Sequence, residues 1–438
     1  MRSEDFNKIT LSRYELRLLA REECRLPSFL GSTLRGAFGH ALREAVRAID
    51  HGDCCGCSAA DPCAYHYLFE TPVPPGVTQL RGQREAPVPF ILSPPIVQNP
   101  VRRVWRVPAV KAAGALSGSA ELGGFARNPS NPQSETRNPK LGDPRSSIPN
   151  SQFSITSVEF PDRPRRFAAG DTLSFDLVLI GRATEYLRYV VLAFAEMAHA
   201  GLGANRAKFE LREVWLRDSA QRLELIYENG VLEAPASRLP GAKAERSRLF
   251  QIARPLSELI RERLAELKGA RSEEPSSASP SLEGLIAEAI GELRCSDPQP
   301  PTPDPSTRRV RFLTPARIRV NGDLQTDLSF ELLVRNLLRR VSTLAAVHGR
   351  GAIELDYRGL IDRAASVKTR SSRLVWWDLD RYSNRQQTKM KLGGFIGEVE
   401  YEGEAVEEFL PLLVAGELLN IGTGTSFGLG CYRILECE

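Results

Sequence analysis

Twice along this 438-residue chain an apolar helical pattern runs into clustered glycines and then into a short strand-like segment. The first instance is Glu185 to His199, then Gly201-Leu202-Gly203, then Lys208 to Trp215. The second is Ala405 to Leu419, then Gly422-Thr423-Gly424-Thr425-Ser426-Phe427-Gly428-Leu429-Gly430, then Cys431 to Leu435. What precedes each ending is also alike. Ile9 to Leu19 alternates apolar and polar residues, the mark of a strand with one covered face. Ser32 to Ile49 is helix-periodic, and strand-like segments follow near Val88 to Leu92 and Thr172 to Ile180. In the second half the same order is Val310 to Val320, a helix from Leu328 to His348, and strands near Arg373 to Leu379 and Phe395 to Tyr401. Each half therefore reads β-α-β-β-α-β, the split βαβ plan. The expected fold class is α+β, with two ferredoxin-like domains in tandem, and the shared ending points to duplication.

A chain of this length exceeds one compact core. Two stretches fall outside the repeated plan. Asn128 to Pro149 is dominated by Asn, Pro, Ser and Arg, and Arg271 to Thr307 by Ser and Pro, with a short apolar helix pattern from Leu282 to Leu293. The expected boundaries are an N-terminal domain over 1–230, with a cysteine-rich insertion near 51–70 and a floppy insertion near 126–150. A Pro/Ser-rich linker with short helices then spans 231–307, and a C-terminal domain spans 308–438. A hydrophobic fraction of 42% and a charged fraction of 26% suit an ordinary soluble protein. The longest obvious apolar run, Tyr189 to Ala195, is far short of the ~20 residues that span a bilayer. Met1 to Asp5 lacks the apolar stretch of a signal peptide, so a cytoplasmic location without a membrane partner is expected. The net charge of +4 does not by itself announce a nucleic-acid binder, so that question passes to local patterns.

Glycines without Cβ atoms tolerate positive φ and allow backbone N–H groups to approach a phosphate, which nominates Gly422, Gly424, Gly428 and Gly430. Dinucleotide loops place such glycines between a strand and a following helix; here the helix comes first, which argues against a nucleotide cofactor. On the Ser32 to Ile49 helix, Leu34, Phe38, Ala41, Leu42, Ala45 and Ile49 form one apolar stripe. His40 falls nearly opposite, beside Gly36, Arg43 and Arg47, on a face that is either plain solvated surface or a seat for a phosphate backbone. His348 shares a side with Leu333, Leu337, Val341 and Leu344 and reads as a core or capping histidine. His199 ends its helix just before Gly201, where capping is the simpler reading and catalysis the second. Trp376 and Trp377 are adjacent, and both are read as mostly core.

Cys54, Cys55, Cys57 and Cys63 cluster after the first helix, flanked by His51 and His66. Cys54-x-x-Cys57 has the spacing of a zinc-chelating pair, and Cys63 with a further ligand would close a structural site; free thiols are the alternative.

The C-terminal glycine loop, in its helix-first order, resembles the signature of the RAMP superfamily of CRISPR-associated RNA-binding proteins. Two further segments sharpen the resemblance: Arg381-Tyr382-Ser383-Asn384-Arg385-Gln386, running through Lys389, Met390 and Lys391 to Gly393-Gly394-Phe395, and Gly31-Ser32-Thr33-Leu34-Arg35-Gly36-Ala37-Phe38-Gly39. Together they are similar to the CRISPR repeat-processing endoribonucleases with a long C-terminal RAMP domain. The resemblance implies RAMP/RRM-like domains that grip CRISPR repeat RNA. It also implies one cut by attack of a ribose 2′-OH, leaving a 2′,3′-cyclic phosphate, with no cofactor required for catalysis. The family often places its catalytic histidine in or after the first helix, which favours His40, with His199 second. Arg35, Arg43, Arg47, Arg381, Tyr382, Arg385, Lys389 and Lys391 are the expected RNA-binding side chains, supplying phosphate contacts and a stacking surface. The branch commonly carries His-x-Gly-Lys where this chain has Asn420-Ile421-Gly422-Thr423. That departure supports the alternative of a non-catalytic RAMP subunit holding guide RNA among other CRISPR effector subunits.

Overall fold

The computed structural model describes residues 1–50, 63–74, 77, 80, 86–95, 103–106, 156–159, 165–217, 223–232, 253–269, 307–320, 322–383 and 388–435. In the N-terminal half, four strands form the body of a seven-stranded sheet: β1 (Thr10–Ala20), β2 (Phe90–Ser93), β3 (Thr172–Ile180) and β4 (Phe209–Arg217). Their order across the sheet is β4-β1-β3-β2, with every pairing antiparallel. That is the ferredoxin-like arrangement the alternating patterns implied. Leu16 and Leu18 of β1 face the core with Leu177 and Leu179 of β3. Helix α1 (Gly31–Asp50) and α3 (Leu187–Ala200) cover this face, and Phe38 stacks on Phe194 at 4.4 Å between centroids. A short helix, α2 (Ala64–Phe69), brings Phe69 against Phe38 and Phe90.

The C-terminal half repeats the plan. Strands β5 (Thr307–Ala316), β6 (Lys368–Trp377), β7 (Gly394–Glu402) and β8 (Tyr432–Leu435) lie in the order β8-β5-β7-β6, again antiparallel throughout. Helices α5 (Phe330–His348), α6 (Tyr357–Ala364) and α7 (Leu410–Leu419) supply the second core. The fold class read from the sequence is therefore the observed one.

Three features lay beyond the patterns. Two short strands from the first half, Arg103–Arg106 and Thr156–Glu159, extend the second domain's sheet; the latter runs parallel to β6. Within the stretch expected to be linker, Arg254–Pro255 pairs with β1, and α4 (Leu256–Gly269) buries Leu256 and Ile260. The apolar cluster of the C-terminal domain also takes in Phe6, Ile9, Leu11, Ile91, Val178 and Ile180 from the N-terminal one. The residues expected as a floppy insertion, 126–150, lie outside the described residues.

Candidate active site

Helix α1 points its apolar stripe inward. Leu34, Phe38, Ala41, Leu42, Ala45 and Val46 are buried. His40 is exposed on the opposite side, with exposed Gly36 and half-buried Arg43 and Arg47. The Arg43 guanidinium lies 5.9 Å over the ring of Tyr65, and Arg47 reaches Glu44 at 3.1 Å. The Nε atoms of both arginines are shielded from water and have no hydrogen-bond partner among the described residues. An exposed ion pair such as Glu44–Arg47 contributes at most about 1 kcal/mol, so a phosphate can displace the carboxylate at small cost.

His199 is exposed at the end of α3, but it is not the cap. Lys208 donates its Nζ to the carbonyls of His199 and Ala200 at 2.9 and 3.2 Å, and the Gly201 amide closes the turn on Met197. The ammonium suits the negative end of the helix dipole. Capping by His199 is thus corrected to capping by Lys208. Among the described residues no hydrogen bond or ion pair joins His40 to His199.

His348 is buried, as its apolar neighbours implied. Its Nδ1 meets the Tyr67 hydroxyl at 2.9 Å and its Nε2 meets the Pro87 carbonyl at 2.6 Å. Burial pushes its pKa down to about 4, so it is neutral at physiological pH. This histidine is a link between the domains. Trp377 is buried, whereas Trp376 is half-buried and donates Nε1 to Asp378 at 2.9 Å.

The glycine loop meets the other domain. Gly422, Gly424, Gly428 and Gly430 all have positive φ. A Cβ on Gly422 would stand 2.5 Å from the Arg317 carbonyl, one on Gly428 2.5 Å from the Leu92 carbonyl, and one on Gly430 1.8 Å from the Ile421 carbonyl. The amides of Thr423, Gly428 and Gly430 bond to carbonyls of Arg317, Thr425 and Pro315. Gly428 and Gly430 are buried with their N–H groups committed, so their expected phosphate contacts are corrected to packing. The glycines let this loop of the second domain wedge against β2 of the first. Asn420, at φ 54°, is buried and donates Nδ2 to the Leu429 carbonyl at 3.1 Å. Behind it, Arg340 donates Nε and Nη2 to the Leu419 carbonyl, capping α7, and burial lowers its pKa to about 10.

Arg35 belongs to the same joint. Its Nε donates to Ser426 Oγ at 2.9 Å, and its guanidinium lies over Phe427 at 4.6 Å and Phe69 at 5.1 Å. Arg381, Tyr382, Lys389 and Lys391 fall on a two-stranded hairpin, Asp380–Ser383 with Thr388–Lys391, in which Arg381 pairs with Met390 and Tyr382 with Lys389. Arg385 lies outside the described residues, as do Cys54, Cys55 and Cys57. Cys63 accepts a bond from the His66 amide at the start of α2. Among the described residues no group of three or more potential metal ligands comes together.

The open face of the first sheet was not legible as a site or as a non-site. In RRM-type domains aromatic side chains on the sheet stack bases. Here β1 and β3 present ions instead. Glu15 pairs with Arg17 at 2.8 Å and Arg217 at 3.0 Å, Asp176 with Arg217 at 3.5 Å, and Arg17 covers Trp215. On the second sheet Arg311 pairs with Glu398 at 2.5 Å.

Residues 310–432 match the family model of the CRISPR-associated endoribonuclease Cas6. Over this C-terminal segment the chain is similar to that family. A second model, described as an N-terminal domain, matches residues 9–104 and 145–239. No curated protein matches the chain. Among solved structures, a Cas6 product complex is 14% identical, with a TM-score of 0.42, over 97% of this chain and 99% of that one. Thermus thermophilus Cas6 is 12% identical, with a TM-score of 0.37, over 98% and 99%. A partial Cas6-RT-Cas1–Cas2 complex is 10% identical, with a TM-score of 0.41, over 98% of this chain and 46% of that one. No helix among the described residues is long and apolar enough to cross a membrane.

Proposed function

We propose that the chain grips the repeat of a CRISPR transcript and cuts it once by a metal-independent transesterification. The carrying observation is the exposed His40 on the same helix face as Arg43 and Arg47, whose Nε donors have no partner among the described residues. A neutral imidazole takes the proton of a ribose 2′-OH, and the 2′-oxygen attacks the adjacent phosphorus. The bond from phosphorus to the 5′-oxygen breaks as that oxygen takes a proton, leaving a 2′,3′-cyclic phosphate and a 5′-OH. Arg43 and Arg47 stabilise the charge that develops on the phosphate oxygens. The hairpin of Arg381, Tyr382, Lys389 and Lys391, together with Arg385, supplies affinity through phosphate contacts. Because both sheets present ion pairs rather than stacked rings, backbone contacts from the helix and the hairpin carry the binding. His199 is the second candidate for the base, and a structural zinc on Cys54, Cys55, Cys57 and Cys63 fits the thiolate chemistry of that cluster.

One observation favours the second reading, a non-catalytic subunit that holds guide RNA within a CRISPR effector complex. The loop position where relatives carry an imidazole holds Asn420, buried and bonded to Leu429, and Thr423 bonds to the Arg317 carbonyl. Incubation with repeat RNA in EDTA separates the two. Cleavage to a cyclic-phosphate end is expected, abolished in His40→Ala with affinity kept within a few-fold. Tight binding without any cut selects the holding role, and full cutting by His40→Ala moves the base to His199.

A further inference from the structure

We infer that Arg35 is a positioning residue: it latches the N-terminal end of α1 to the glycine loop of the other domain and thereby fixes where His40 stands relative to the RNA-gripping hairpin. The inference rests on the endoribonuclease reading above. The sequence alone suggested a phosphate ligand at this position, but the surroundings of the guanidinium point elsewhere.

Two contacts converge on the start of α1, and a third holds the same loop against β2. Gly31 faces the Phe427 carbonyl so closely that a Cβ would stand 1.9 Å from it. One turn on, Arg35 donates Nε to Ser426 Oγ, which is itself buried, and lies between the rings of Phe427 and Phe69. Gly428, two residues after Ser426, abuts the Leu92 carbonyl of β2. The loop is therefore held on two sides by the N-terminal domain, and Arg35 is the side chain that spans the seam.

The contact chain continues to the hairpin. Phe427 packs with Phe29, Leu392 and Leu429 around a small apolar cluster that includes Trp377 and Leu379. Leu379 and Leu392 close the base of the hairpin, the Leu392 amide bonding to the Leu379 carbonyl at 2.8 Å. Arg35 thus ties α1 to the same cluster that anchors Arg381 and Lys391. On α1 itself, His40 follows Arg35 by five residues, about 7.5 Å along the axis and about 140° around it. The two side chains leave the helix on different sides, so Arg35 acts at the joint and His40 at the open face.

The leverage is large. His40 stands about 14 Å along the helix from Gly31, so a tilt of about 5° about that end moves it by about 1 Å. Displacement of that size costs on the order of 100-fold in rate when a reacting group must be aligned.

The test compares Arg35→Ala, Arg35→Lys and Phe427→Leu with the parent chain, using single-turnover cleavage at saturating repeat RNA, Kd across a salt series, and amide exchange of residues 421–431. Arg35→Ala is expected to lower the cleavage rate by about 10- to 100-fold, with Kd within about 3-fold and an unchanged salt slope. Exchange at Gly428 and Gly430 should rise. Arg35→Lys, which keeps a cation over the rings, should recover part of the rate. The double variant Arg35→Ala/Phe427→Leu should be no slower than the slower single variant, because both changes open one joint. A salt slope shallower by about one would instead make Arg35 a phosphate ligand and overturn the proposal. An unchanged rate with faster exchange would reduce Arg35 to packing and equally overturn it. If the parent chain does not cut, the endoribonuclease reading fails by itself. Exchange still judges the latch in that case: faster exchange in Arg35→Ala supports it, and parent-like exchange removes it.

Discussion

Two histidines on amphipathic helices have opposite fates, and helix geometry alone separates them. His40 lies opposite the stripe that buries Leu34, Phe38 and Leu42, and it is exposed. His348 continues the stripe of Leu337, Val341 and Leu344, and it is buried with both ring nitrogens engaged. Because burial holds His348 near pKa 4, the unfolded chain binds its proton first as the pH drops. The stability it contributes is complete above about pH 6.5 and is lost as the pH falls through about 4. Lowering the pH from 7.5 to 4.5 should therefore cost the parent chain about 2 to 3 kcal/mol more than a His348→Phe variant, read from urea unfolding at both values. Equal losses in the two proteins would show that another group sets the acid limit. What the sequence could not supply is the partner, since Tyr67 lies 281 residues away in the other domain.

At the scale of elements, every strand and helix of the two split βαβ units was legible, most of them through a period of 2 or 3.6 set by one covered face, and the largely buried α7 through its apolar run. The short strands Arg103–Arg106 and Thr156–Glu159 were not, because four residues are too few to show a period. The glycine loop was found, but not the packing of Gly428 and Gly430 within it. Permissive φ and absent side chains serve a phosphate and a tight joint equally well, and only the carbonyls of Leu92 and Arg317 reveal which applies. Gly428→Ala should destabilise the protein by roughly 1–3 kcal/mol through strained φ and the clash with Leu92, measured by denaturant unfolding. A change within error would mean the joint relaxes freely. The hairpin carries a separate prediction. Replacing Arg381 or Arg385 by Ala should weaken RNA binding and make the log–log salt dependence shallower by about one unit per lost contact. An unaltered slope removes that residue from the interface.

For the molecule as a whole, two domains were expected and two large sheets are present among the described residues, yet the apolar core is shared. Phe6, Ile9, Leu11 and Ile180 pack with the C-terminal helices, and α4 bonds to both halves, the Leu256 amide donating to the Ile9 carbonyl at 2.8 Å and Arg263 meeting Glu417 of α7 at 3.1 Å. Urea unfolding should accordingly give coincident transitions by tryptophan fluorescence and far-UV circular dichroism. Two resolved steps would show that the domains unfold separately and that the shared cluster does not couple them. By itself the sequence determined the fold class, the duplicated strand order and the solvent-facing side of α1, since these follow from local periodicity and covered faces. Only the tertiary structure decided that the glycine loop is a joint, that Arg35 spans it and that His348 bridges the domains. Those facts depend on which residues meet across hundreds of positions, and no periodicity in the chain records such meetings.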